Sequence, residues 1–129
     1  MKNILIFATG NQNKVKEVTQ ILGSSWTVQS LKDIGHTEEV PETQNTIEGN
    51  AIQKANFISN RYQSDCFAED TGLEVEALNG APGVYSARYA GPQKNAHDNM
   101  IKLMDALKFE SNRKARFKTV IAYRKGKVQ

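Results

Sequence analysis

The sequence predicts an α/β fold, and three observations carry that reading. The first 31 residues run strand, loop, helix, strand, the usual opening of a layered α/β domain. Two further helical patterns then alternate with strand patterns along the rest of the chain. The length is 129 residues, with 39% hydrophobic and 24% charged side chains, which suits one packed domain better than a disordered chain.

The elements follow in order. Ile4 to Ala8 is a short apolar run that reads as a buried strand, and Thr9-Gly10-Asn11 breaks it. A helix follows, with Val15, Val18, Ile21 and Leu22 on one side and Gly23 as its C-terminal stop. Trp26 to Leu31 reads as a second strand. Residues 32–45 are polar, contain Gly35 and Pro41, and read as a loop. Residues 46–60 form a helix with Ile47, Ala51, Ala55 and Ile58 in line and Ile52 beside them. Cys66 to Ala68 is a short buried strand, Glu69-Asp70-Thr71-Gly72 its turn, and Leu73 to Ala77 a half-exposed strand by its alternation. Residues 79–92 make an ordered Gly/Pro-rich loop around Tyr85 and Tyr89. Residues 93–107 are helical, with Ala96, Met100, Leu103 and Leu107 on one stripe, and Ala115 to Tyr123 is a long strand. Lys125-Gly126 opens a hairpin turn, which places Val128 and Gln129 in a returning strand. An unfinished hairpin leaves an open edge, so residues 1–129 are expected to be an incomplete domain of a larger unit.

Charge is uneven. The net value is +3, but residues 1–107 sum to −4 and residues 108–129 to +7. The basic end carries no recognisable nucleic-acid motif, so no stable nucleic-acid partner is expected. A single Cys excludes an internal disulfide and a Cys-rich zinc site. No run approaches the ~18 apolar residues of a membrane span, and the start does not read as a signal peptide. No membrane association and a cytoplasmic location are therefore expected.

Four segments invite chemistry. Thr9-Gly10-Asn11-Gln12-Asn13-Lys14 joins a buried strand to a helix, where backbone N–H groups and Lys14 attract anions. It is neither a Walker P-loop nor a dinucleotide turn. The competing reading is an Asn-capped helix with a solvent lysine. Glu69-Asp70-Thr71-Gly72 places two carboxylates after a buried strand, where α/β sheets present ligands. Neighbouring strand residues point oppositely, so the two acids are expected to do different jobs. One of them can hold Mg2+ or orient a water. The competing reading is an acidic turn pivoting on Gly72. Glu42, Asn50 and Lys54 suit a metal-and-phosphate pocket, or simply a solvated helix face; Asn50 and Lys54 share a face by their spacing of four. In the run from Asn79 to Gly91, Arg88 lies between two tyrosines and can reach a phosphate, or the loop is structural with its aromatics packed under the sheet. His36 and His97 are read as surface residues, and Cys66 as a buried core thiol.

Taken together, four stretches resemble the inosine triphosphate pyrophosphatase family, also called Ham1-like. They are ATGNQNKVKEV near the start, PETQNTIEGNAIQKA at 41–55, AEDTGLEVEALNGAPGVYSARYAG at 68–91 and KARFKTVIAY at 114–123. The resemblance implies an elongated central mixed β-sheet flanked by helices, with two lobes and a substrate cleft between them. It implies hydrolysis of ITP, dITP and XTP to the monophosphate and pyrophosphate with Mg2+, and a homodimer. By the family's pattern, Thr9, Gly10, Asn11 and Lys14 contact the phosphates. Lys54 is a further phosphate contact and Thr71 a substrate contact. Asp70 ligates the metal and activates water, and Glu42 helps hold the metal. Glu69 and Thr71 stand where Asp and Ser are commoner. The family's C-terminal third carries a Phe-Gly-(Tyr/Trp)-Asp-Pro segment and a Ser-His-Arg segment, which shape the base pocket. Neither occurs in these 129 residues. The alternative function is a non-catalytic nucleotide-binding or assembly protein.

Overall fold

The computed structural model describes residues 3–126. Five strands and three α-helices follow one another as β1 (Asn3–Phe7), α1 (Gln12–Leu22), β2 (Trp26–Gln29), α2 (Ile47–Tyr62), β3 (Cys66–Val75), β4 (Pro82–Gly83), α3 (Ala96–Ala106) and β5 (Ala115–Arg124). Short 3-10 turns at Glu76–Leu78 and Ser86–Arg88 flank β4. The strands form a mixed sheet of order β2-β1-β3-β4, with β5 paired to β3. β1 runs parallel to β2 and β3, and β4 runs antiparallel to β3. The predicted α/β class and the mixed sheet flanked by helices are therefore observed. The predicted return at Val128 and Gln129 lies outside the described residues.

The chain divides into two compact units. One takes the stretch that ends at Gln44, Glu48–Glu69 and the stretch that begins at Ile121; the other takes Asn45–Ile47 and Asp70–Val120. In the first unit, β1 is lined on both faces. Ile6 and Ala8 pack with Ala55 and Ile58 of α2 and with Cys66 and Ala68 of β3. Phe7 packs with Val15 of α1 and Val28 of β2, and its ring stacks on Phe67 at 4.2 Å. This alternation is what a parallel strand covered by helices requires. Burying one side chain of the size of Ile58 is worth about 1.5–3 kcal/mol. Burial pushes the Cys66 thiol up to about 12, as befits a core cysteine.

In the second unit, the 82–91 loop is tied to its neighbours by polar side chains. Ser86 Oγ accepts from the Leu73 N–H at 2.8 Å and donates to the Gly83 carbonyl at 2.6 Å. Asn99 of α3 accepts from the Ala90 N–H at 2.8 Å and donates to the Ala87 carbonyl at 2.9 Å. Lys102 donates to the Tyr89 carbonyl and lies 4.4 Å from the Tyr89 ring centroid.

Several expectations need correction. Residues 69–72 are not a turn: β3 runs unbroken through them. Gly72 is there for packing, because a Cβ would collide with the Gly83 carbonyl oxygen and lie 2.8 Å from the carbonyl carbon. Leu73 and Val75 belong to that same strand, and Glu76–Leu78 is a 3-10 turn, not strand. Ile21 and Ile52 face outward, as do Ala96 and Met100 on α3. Only Leu107, beyond the end of that helix, is buried, with Leu103 half-buried. Tyr85 is exposed and carries Arg88 over its ring at 5.5 Å rather than packing under the sheet. His36 is buried, not on the surface. Its Nδ1 shares a 2.6 Å hydrogen bond with Tyr62 Oη, and its ring meets Phe57 and Tyr62 edge-on. His97 is exposed as expected. No helix among the described residues is long and apolar enough to cross a membrane.

Candidate functional site

The turn from β1 to α1 is shaped by its own side chains. Thr9 Oγ1 accepts from the Asn11 N–H at 3.1 Å. Asn11 caps α1, its Oδ1 accepting from the N–H groups of Asn13 and Lys14 at 3.0 and 3.2 Å. The Asn cap of the competing reading is therefore present, and it engages two of the N–H groups that would otherwise attract an anion. Gly10 is exposed, its φ lies outside the left-handed region, and an added Cβ would meet no atom within 4 Å. Neither backbone conformation nor packing among the described residues requires glycine there.

The first unit gathers four charged side chains into one network. Lys14 pairs with the Glu69 carboxylate. Lys54 donates to the Glu69 carbonyl at 2.7 Å and to Glu42 Oε1 at 2.8 Å. The two lysines differ in setting. The Lys54 side chain is 11% exposed and that of Lys14 45%, so solvent and salt screen Lys54 less. Glu42 owes its place to the loop that carries it. Thr43 N–H donates to Gln53 Oε1, Gln53 Nε2 donates to Thr43 Oγ1, and the Gln44 N–H donates to Asn50 Oδ1, all at 2.8–2.9 Å. Asn50, 2% exposed, is thus a loop anchor rather than a ligand contact.

Glu69 is the residue that sequence reasoning noticed without assigning a role. Its carboxylate and its carbonyl each take one of the two lysines. The signal was available: the residue sits in a strand, where side chains alternate, so a carboxylate at 69 and one at 70 face opposite ways. The tie to Lys14, 55 positions away, is a tertiary fact.

In the second unit, Asp70 is half-buried and Thr71 exposed. Thr71 Oγ1 and Thr119 Oγ1 are 2.8 Å apart and hydrogen-bonded across β3 and β5. Arg116 of β5 donates to Glu74 of β3 at 2.7 Å.

No group of three His, Cys, Asp or Glu among the described residues is placed to hold a metal ion. The donor chemistry nevertheless fits Mg2+, which prefers oxygen and is commonly held by one or two carboxylates, waters and substrate phosphates instead of an all-protein cage.

The sequence pattern of the Ham1 family matches residues 5–129. The chain is 60% identical over 117 residues to a dITP/XTP pyrophosphatase of Flavobacterium johnsoniae, covering 91% of this chain and 61% of that protein. It is 53% identical over 119 residues to the protein of the same name from Porphyromonas gingivalis, covering 92% and 61%. The Staphylococcus aureus Ham1 protein superposes with a TM-score of 0.88 at 34% identity, covering 98% of this chain and 66% of that one. The chain thus spans about three-fifths of the length of the curated relatives it matches.

Proposed function

The chain belongs to the Ham1 family, and from that membership we propose that the protein hydrolyses non-canonical purine nucleoside triphosphates, dITP, ITP and XTP, to the monophosphate and pyrophosphate. The observation that carries this reading is the network of Lys14, Glu69, Lys54 and Glu42 beside a strand-to-helix turn whose glycine serves neither conformation nor packing. Relatives named dITP/XTP pyrophosphatase supply the substrate class.

The residues divide the work by their chemistry. Lys14 and Lys54 are compact cations that bind phosphate oxygens and offset the charge that grows on the leaving pyrophosphate. Thr9 and Asn11 offer polar side chains to the same phosphates, and Gly10 lets them approach the backbone. Asp70 orients the attacking water and takes its proton, and Thr71 positions the substrate. Glu42 and Asp70 supply the carboxylate oxygens for Mg2+, which when bound neutralises phosphate charge. Attack at the alpha phosphorus yields pyrophosphate. Discrimination against adenine would rest on donors to the 6-keto oxygen, since a buried donor facing an amino group is left unpaired. The protein works as a homodimer in the cytoplasm, as the family resemblance implies.

The test is pyrophosphate release by the full-length protein from dITP, XTP, dGTP and dATP, with Mg2+ and with EDTA. Release from dITP and XTP that requires Mg2+ and is lost in Asp70→Asn supports the proposal. Nucleotide binding without turnover would favour the binding-only alternative.

A further inference from the structure

Lys54 and Glu42 are both assigned above to the ligands, yet here they hold each other. Lys54 Nζ donates to Glu42 Oε1 at 2.8 Å, and Glu42 is the carboxylate proposed for the cation. The same ammonium is anchored by the Glu69 carbonyl at 2.7 Å. An ammonium hydrogen-bonded to Glu42 Oε1 weakens that carboxylate as a ligand for a divalent cation, through repulsion between the two positive charges. A Mg2+ ion lies ~2.1 Å from its oxygen ligands, which would set two cations a few ångströms apart in a place where one side chain is only 11% exposed.

We propose that Lys54 is a built-in stand-in for the metal: it occupies Glu42 until a triphosphate offers its ammonium a new anionic partner, so that divalent cation and triphosphate each make room for the other. This rests on the proposed function and adds the order of events at its site. The Glu69 carbonyl is the fixed point, because a backbone oxygen within a strand holds Lys54 near both partners during the exchange. Glu42 is placed independently of Lys54, through the Thr43–Gln53 and Gln44–Asn50 bonds of its loop, so releasing the lysine does not release the carboxylate. Cation and triphosphate therefore bind cooperatively, with a coupling in the usual range of about 5–150-fold.

The exchange makes two predictions that run against the usual effect of deleting a ligand-binding group. Lys54→Met frees Glu42, so Mn2+ alone binds several-fold more tightly than to the wild type. Glu42→Gln loosens the hold on Lys54, so dITP in EDTA binds several-fold more tightly. Both are measured by calorimetry on the full-length protein, with Mn2+ binding also read by electron paramagnetic resonance. Each gain must vanish in the double variant, because an exchange needs both partners. Glu42→Gln keeps an oxygen that accepts from Lys54, so its arm stands even if Lys54→Met fails to fold. If the wild type binds both ligands but either variant only loses affinity, or the gains survive in the double variant, the exchange is overturned while the proposed hydrolysis stands. If the wild type binds neither ligand, alone or together, both fall.

Discussion

The segments 9–14 and 69–72 look alike in sequence: each follows a buried strand, and each carries polar residues and one glycine. They fold differently. The first leaves its strand and opens a helix, while the second never leaves the strand. The glycines differ accordingly. Gly72 is enclosed by the Gly83 backbone, whereas Gly10 has nothing within 4 Å of an added Cβ. A strand exit offers backbone and cap groups on a short loop; a strand interior offers side chains at fixed alternating positions. On this contrast, Gly72 serves the fold, and Gly10 is left for the ligand role proposed above.

The largest expected effect tests the strand segment. Asp70→Asn should lower pyrophosphate release by about 10²–10⁴-fold, as removal of an acid–base group does, with circular dichroism unchanged. A variant with wild-type turnover would reduce the segment to structure. Gly72→Ala should cost about 1–3 kcal/mol by overpacking, seen as a lower urea midpoint. An unchanged midpoint would break the contrast between the two glycines. Asn11→Ala should cost about 1 kcal/mol, the usual loss of an N-cap. The smallest stability effect is expected for Gly10→Ala, within about 0.5 kcal/mol. Its kcat/KM should nevertheless fall by about tenfold or more, since small misplacements of substrate are costly. A stable, fully active Gly10→Ala variant would remove Gly10 from the site.

The sequence made the first half of the molecule legible because its apolar residues recur at the spacing of covered elements. Ile47, Ala51, Ala55 and Ile58 are all buried as their helical spacing predicts. The same kind of spacing misled on α3, where Ala96 and Met100 are exposed. Periodicity identifies a face, but not what covers it. The break at 69–72 was misread because Asp and Gly are turn residues by local preference, and the reason for Gly72 lies 11 residues away at Gly83. His36 was misread for a similar reason: its partners Phe57 and Tyr62 sit on α2, beyond the polar stretch that surrounds it. Of the site, the lysines and carboxylates were legible as residue types at strand exits and helix faces. Their pairing was not, because the Lys14–Glu69 and Lys54–Glu42 contacts exist only after folding.

The most direct test of the central claim is hydrolysis of dITP in H₂¹⁸O by the full-length protein, with products resolved by mass spectrometry. Attack of water at the alpha phosphorus predicts one ¹⁸O in dIMP and none in pyrophosphate. Label in pyrophosphate, or release of labelled orthophosphate with dIDP, would contradict it.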